Sequence, residues 1–469
     1  MRRFVFALAM LSFILPVASF SATVDLSALK YPQLKFNPPK PERVVLKNGM
    51  ILYLLEDHEL PVVDIGAMVR IGSAYVPAEK AGLAEITGRL WRAGGTKSLA
   101  PGELDERLEF MGASIETSIG AESGSASMKI MSKNLDEGLR LYADVIRNPA
   151  FDEKRFVVLK EQVADGLRRL EDEPDALVDR EFHKLLFKGH PFGVSPTLKS
   201  VEGVSLEDCR SFYREHIGPE SFMIGLTGDF KSADIKARFE KLFAGWGRAP
   251  KKFGKIPPVA DVGASGIYLL DKKLPQTAIR IGHLGVSRKE ADFQTVRVMN
   301  YVLGGGGFSS RLMKDVRSVR GLAYSVWSYF SGGDSDKGAF MIGGETKAST
   351  TGEFISVSRD LARGMAERGA SASEVSGAKE AIVNSFIFAF DKPTEITGKY
   401  MWMEYYGIPK NYLETYKDVV LSLTPGEINE AAQKRIHPEK FLIVVVGDKR
   451  VVGPQLEKLG PVKLLEGAE

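Results

Sequence analysis

The sequence predicts an α+β protein of two homologous lobes, each an antiparallel sheet with covering helices. Three observations lead there. At 469 residues the chain exceeds the ~250 to 300 residues at which a single hydrophobic core stops growing, so it needs at least two domains. Alternating apolar stretches that suit strands, 50–55 and 62–71, are interleaved with long 3.6-residue periods at 81–92, 135–147 and 153–186, a mixture that belongs to sheets covered by helices. The third observation is that part of the chain recurs.

HIGPESFMIGLTGDF, His216 to Phe230, matches RIHPEKFLIVVVGDK, Arg435 to Lys449, at an offset of 219 residues. YLLEDHELP, Tyr53 to Pro61, resembles YLLDKKLP, Tyr268 to Pro275, at an offset of 214 to 215. Two matches in the same order at nearly one offset indicate a duplicated unit of about 200 residues, too long for a solenoid repeat and too few for a propeller. The segment 248–264 (RAPKKFGKIPPVADVGA), rich in proline, glycine and lysine, reads as the linker between the copies. The expected organisation is a signal peptide at 1–22, a proline-spaced lead or strap at 23–42, an N-terminal lobe at 43–247, the linker, and a C-terminal lobe at 265–460.

The signal reading rests on MRRFVFALAMLSFILPVASFSA, in which two arginines precede a short apolar run and small residues suited to cleavage near Ser21 or Ala22. The run is shorter than the ~20 apolar residues of a membrane span and Pro16 interrupts it, so export to a Gram-negative periplasm is expected, with no stable span after cleavage. A balance of 63 basic against 60 acidic residues, net +3, gives no electrostatic case for nucleic acid. Cys209 is the only cysteine and cannot form an internal disulfide, so stability must come from packing.

The chemistry-bearing residues are sparse. No two of the six histidines (His58, His183, His190, His216, His283, His437) lie at metal-ligand spacing. Ser309 and Ser310 follow glycines without forming a G-x-S-x-G elbow, and GGGGFSSRL lacks the lysine of a phosphate-binding loop.

Two segments carry a family resemblance. GLAEITGRLWRAGGT, Gly82 to Thr96, resembles the signature helix of the pitrilysin/insulinase metallopeptidases, and GGGGFSSRLMKDVRSVRGLAYSVWSYF, Gly304 to Phe330, resembles their C-terminal lobe; HPFG at His190 to Gly193 also fits. Active members carry H-x-x-E-H, in which two histidines four apart on one helical face hold zinc and the glutamate takes a proton from the bound water. Here those positions are Glu85, Gly88 and Arg89, and none can do its job: no imidazole remains, glycine has no carboxylate, and arginine brings permanent positive charge to the place of a dication. Glu161 resembles the family's downstream acidic ligand. Glu85 and Arg89 stand at i and i+4 with the acid first, a favourable order for a helical ion pair, and the expectation is that Arg89 pairs with Glu85 and with Glu161 as a second partner.

The resemblance also implies a constellation in the second lobe, an arginine and a tyrosine seven residues apart that face the zinc of an opposing lobe. These are Arg317 and Tyr324, whose guanidinium and phenol can donate to a peptide carbonyl and the oxyanion developing on it. The run Gly304, Gly305, Gly306 and Gly307 resembles the family's glycine-rich turn facing the substrate chamber. The two lobes are then half of a clamshell, as in the two-chain bacterial branch that is similar to mitochondrial processing peptidase. This chain resembles the non-catalytic subunit, with no metal of its own, zinc held by a homologous H-x-x-E-H partner, and unstructured peptides as substrate. The alternative is an inactive family member acting as a binding or scaffold protein.

Overall fold

The computed structural model describes residues 38–252 and 254–466; the signal peptide and most of the lead lie outside them. The first sheet has β1 (Glu42–Val45), β2 (Ile51–Glu56), β3 (Val62–Val69), β4 (Ser114–Ile119), β5 (Gly124–Met131) and β6 (Phe222–Gly228) in the order β1-β2-β6-β3-β5-β4. The second has β7 (Gly266–Asp271), β8 (Gln276–Leu284), β9 (Val326–Phe330), β10 (Ala339–Lys347), β11 (Leu442–Gly447) and β12 (Val462–Leu465) in the order β12-β7-β11-β8-β10-β9. With β7 equivalent to β2, β11 to β6, β8 to β3, β10 to β5 and β9 to β4, the shared order is the duplication read from the sequence. The recurring Gly-Asp segments contain the central strands β6 and β11.

The sheets are mixed rather than wholly antiparallel, because β2 pairs with β6, and β7 with β11 and β12, in parallel. The cause is visible in burial. Every residue of β6 and of β11 is buried, the signature of a strand covered on both faces, whereas β5 alternates buried with exposed along GSASMKIM.

What covers the second face of each sheet comes from the other lobe. The expected helix over 153–186 is two helices, Glu153–Leu170 and Pro174–Leu186; Pro174 opens the second, where its missing N–H costs nothing. The second helix leaves the first lobe and packs Leu177, Val178, Phe182 and Leu186 against Leu270, Ala278, Val444 and Val446 of the second sheet. Reciprocally, helix Pro393–Tyr406 sets Met401 on Tyr53 and Met223 of the first sheet. Gly225 on β6 admits this approach, since a Cβ there would lie 3.1 Å from Met401 Cε. Among the described residues no helix is long and apolar enough to cross a membrane.

Each exchange is locked by an arginine. Arg280 on β8, with 1% of its side chain exposed, donates from Nε and Nη2 to the Asp179 carboxylate at 2.6 and 3.0 Å, its Nη2 forms an ion pair with Asp175 at 2.7 Å, and its guanidinium lies 5.1 Å from the Trp327 ring centroid. Arg43 on β1 grips Glu404 of the opposite helix at 2.6 and 2.7 Å, and Tyr53 donates its hydroxyl to the same carboxylate.

In the first lock the arginine is buried while Asp175 and Asp179 are 59% and 37% exposed. Removing the acids should therefore cost more than removing the arginine. Asp175→Ala combined with Asp179→Ala leaves a buried unpaired charge, a loss of about 3 to 5 kcal/mol, whereas Arg280→Met leaves carboxylates that reach water. Urea unfolding of both variants checks the order, and a greater loss from Arg280→Met would contradict it.

Candidate functional site

Helix Leu83–Ala93 follows Gly82, whose φ of 101° is left-handed, and buries Leu83, Ala84, Ile86, Leu90 and Trp91, so only Glu85 and Arg89 project outward in its middle. Arg89 Nη1 lies 3.6 Å from Glu85 Oε1, and Nη2 donates to Gln162 Oε1 at 3.2 Å. The second partner is thus Gln162 and not Glu161. Glu161 turns away along helix Glu153–Leu170 to Arg168, at 2.7 Å.

Gly88 is closed to any side chain. A Cβ there would lie 2.9 Å from the Ser118 carbonyl carbon and closer still to the Ile119 amide nitrogen. The helix is pinned to β4 at this point: Thr117 Oγ1 donates to Gly88 O at 2.7 Å, and Arg92 donates from Nε to Ile115 O at 3.1 Å. One carboxylate, one amide oxygen and a guanidinium do not form a zinc donor set, and the residues present do not fit that metal.

In the second lobe, helix Phe293–Asn300 widens into a π-helical turn, Tyr301–Gly305, and a second π-helical stretch covers Met313–Val319. Such turns are rare and concentrate at functional sites. Gly304, 216 residues beyond Gly88, plays the same packing role, since a Cβ would lie 2.5 Å from the Ser328 amide nitrogen on β9. Gly304 and Gly305 therefore complete the π turn, while Gly306 and Gly307 make the bend; Gly307 has φ of 55°.

This path presents Phe308, 70% exposed, and the chain then reverses at Gly321, φ 64°, to bring Tyr324, 83% exposed, over Arg317. The Arg317 guanidinium lies against both rings, 4.7 Å from the Phe308 centroid and 4.4 Å from that of Tyr324. A cation held on aromatic rings keeps N–H groups available for a further acceptor. Among the described residues neither Arg317 nor Tyr324 has a side-chain hydrogen bond or ion pair. Nothing of that kind links this pair to Glu85 or Arg89. Phe308 was not legible as a site residue, although its place directly after the glycine run was the available signal.

His283 and His437 do meet, with ring centroids 5.3 Å apart, although 154 residues separate them. His283 Nδ1 is 2.8 Å from Leu284 O and Nε2 accepts from the His437 amide at 3.1 Å, so both nitrogens are engaged, and burial holds this imidazole neutral with its pKa pulled down to about 4. Among the described residues no three His, Cys, Asp or Glu side chains converge as a metal-binding group.

Two results are expected of the degenerate site. Gly88→Ala, which in an open helix would stabilise by up to about 1 kcal/mol, should destabilise by about 1 to 3 kcal/mol through overpacking against β4. The purified chain, stripped by chelator and re-exposed to zinc, should retain no stoichiometric metal, and Glu85→His/Gly88→Glu/Arg89→His should not restore it. One-to-one zinc by elemental analysis, with peptide hydrolysis tracking it, would contradict this reading.

Residues 52–197 match the model of the insulinase family (peptidase family M16) and residues 203–382 that of the peptidase M16 inactive domain. An uncharacterised zinc protease of Rickettsia bellii is 25% identical, over 87% of this chain and 98% of its own length. A non-peptidase homologue of Helicobacter pylori is 24% identical over 84% and 91%. The probable mitochondrial-processing peptidase subunit beta of Arabidopsis thaliana is 22% identical over 66% and 60%. A solved peptidase M16 inactive domain from Pseudomonas fluorescens superposes with a TM-score of 0.80 at 25% identity, covering 87% of this chain and 98% of that one. The chain, with its duplicated lobes and a motif helix emptied of ligands, belongs to the M16 (insulinase) peptidase family.

Proposed function

We propose that this chain is the non-catalytic subunit of an exported, two-chain zinc peptidase, and that Arg317 and Tyr324 serve a metal site carried by a homologous H-x-x-E-H partner. The observation that carries the proposal is the guanidinium of Arg317, which lies against the rings of Phe308 and a largely exposed Tyr324 and has no carboxylate partner among the described residues. An arginine without a carboxylate is ordinarily left to extend into water. Here two rings lie against it and restrict its movement, and restricting a donor in this way prepares it to meet an oxyanion.

In this reading the two lobes form half of a clamshell in the periplasm, and the partner's metal supplies the activated water. An unstructured peptide lies between the halves, against the turn made by Gly306 and Gly307. Arg317 donates to the carbonyl oxygen next to the scissile bond, and the Tyr324 hydroxyl donates to the same oxygen as negative charge develops on it. Both interactions strengthen toward the transition state and so act on turnover more than on binding. The degenerate motif favours a second reading, a binding or scaffold protein with no part in hydrolysis.

Hydrolysis of an unstructured peptide by the reconstituted pair separates the two readings. Tyr324→Phe keeps the ring and deletes one donor, so turnover should fall about 10²- to 10³-fold with assembly intact by gel filtration. Arg317→Ala should do at least as much harm and also raise KM. Arg89→Ala, in the degenerate site, should leave turnover nearly unchanged. Wild-type rates from both Tyr324→Phe and Arg317→Ala would leave the scaffold reading in place.

A further inference from the structure

Beside the glycine turn runs an open groove of about 530 Å³, bounded by Tyr301, Gly304, Gly307, β9 and Ile382, with Arg297 in its wall. It adjoins the proposed catalytic pair, because Gly307 precedes Phe308, on which Arg317 stacks. The exposed edge of β9 is capped partway along: Asn300 Nδ2 donates to Ser328 O at 2.9 Å, and Ser328 Oγ donates to Asn300 Oδ1 at 2.8 Å. A ligand in the groove is therefore held by side chains and not by adding a strand across Ser328.

Arg297 is anchored as a binding group would be. Its Nη1 donates to the Tyr416 hydroxyl at 2.7 Å and to Gln294 Oε1 at 3.3 Å, and its guanidinium lies 5.5 Å from the centroid of Tyr416, a ring only 2% exposed. Among the described residues no carboxylate comes within 4.0 Å of it, and its Nε and Nη2 hydrogens have no protein acceptor. From Tyr416 a ladder of rings runs through Tyr412, at 5.6 Å, to Trp402, at 6.0 Å. There Lys399 places its ammonium 4.1 Å from the Trp402 centroid, again without a carboxylate in ion-pair range among the described residues.

A second cation on the same indole, Arg288, is paired with Asp334 at 2.7 Å, so that acid is already taken. Burial first, then the charges of Arg288 and Arg297, pull the Lys399 pKa down, the mark of cations gathered without full compensation. Cations brought together on rigid aromatic faces gain once an anion arrives between them.

We propose that Arg297, with Lys399 behind it, is a carboxylate-binding subsite that selects peptides carrying an acidic side chain or a free C-terminal carboxylate beside the segment to be cleaved. This rests on the reading of the chain as a peptide-binding subunit.

The test is fluorescence anisotropy of the purified full chain with four labelled, unstructured peptides that differ only in Glu or Gln at one internal position and in a free or amidated C-terminus. Wild type should bind a carboxylate-bearing form about tenfold more tightly than its neutral counterpart. Loss on amidation identifies the chain terminus as the ligand, and loss on Glu→Gln in the peptide identifies an acidic side chain. Arg297→Gln should erase the preference while leaving binding of the fully neutral peptide unchanged, and Arg297→Lys, which keeps the charge and loses the fork, should retain part of it. Equal affinity for all four peptides, or a preference that survives Arg297→Gln combined with Lys399→Gln, would overturn the subsite and leave the peptide-binding reading standing. Failure of wild type to bind any of the four would overturn both.

Discussion

Arg280 is a guanidinium with 1% of its side chain exposed, fixed on β8 by two aspartates from a helix that by sequence belongs to the opposite lobe. Its lock, and the matching grip of Arg43 and Tyr53 on Glu404, make the two duplicated units into one body. Without helix Pro174–Leu186 the second sheet would expose Leu270, Ala278, Val444 and Val446 to water. A boundary at 248–264 therefore divides the chain by sequence but not by packing. Each lobe has a core of its own on one face of its sheet, and the other face is completed by the helix from the opposite lobe.

Within that frame the duplication has diverged at one equivalent slot. Gly88 and Gly304 each let a helix press on an edge strand, β4 in one lobe and β9 in the other. In the first lobe the neighbours of that glycine are Glu85 and Arg89, which satisfy each other and Gln162, so a position that could hold a metal in a relative has become a helix–strand contact with an exposed ion pair. An exposed pair of this kind contributes only about 0.3 to 0.5 kcal/mol; the packing of Gly88 is what keeps the helix in place. In the second lobe the same contact sits inside a π-helical turn, and the chain that follows brings Arg317 against the exposed Phe308.

Local signals were legible where chemistry and spacing coincide. The recurring Gly-Asp segments revealed the duplication, and the resemblance of 82–96 to the family's signature helix located the emptied motif at Glu85, Gly88 and Arg89. The pair Arg317 and Tyr324 followed from the family resemblance of their segment, although the closeness of the two side chains depends on the left-handed reversal at Gly321. Other features were illegible for physical reasons. Glu161 and Gln162 are separated by about 100° around a helix, and only the docking of that helix decides which one meets Arg89. The exchange of helices depends on apolar faces that look alike whichever sheet they cover, and the meeting of His283 with His437 depends on strand pairing across 154 residues.

The central claim is that the half-buried Arg317, lying against the exposed rings of Phe308 and Tyr324, faces another chain. Val319 is 73% exposed, two residues from Arg317, and outside the proposed machinery, so a photo-reactive phenylalanine analogue placed there reports on whatever covers this surface in the native host. The account predicts cross-links, mapped by mass spectrometry, to a homologous chain at residues flanking an H-x-x-E-H motif. Cross-links confined to subunits of a large membrane complex, or to a second copy of this chain, would contradict it.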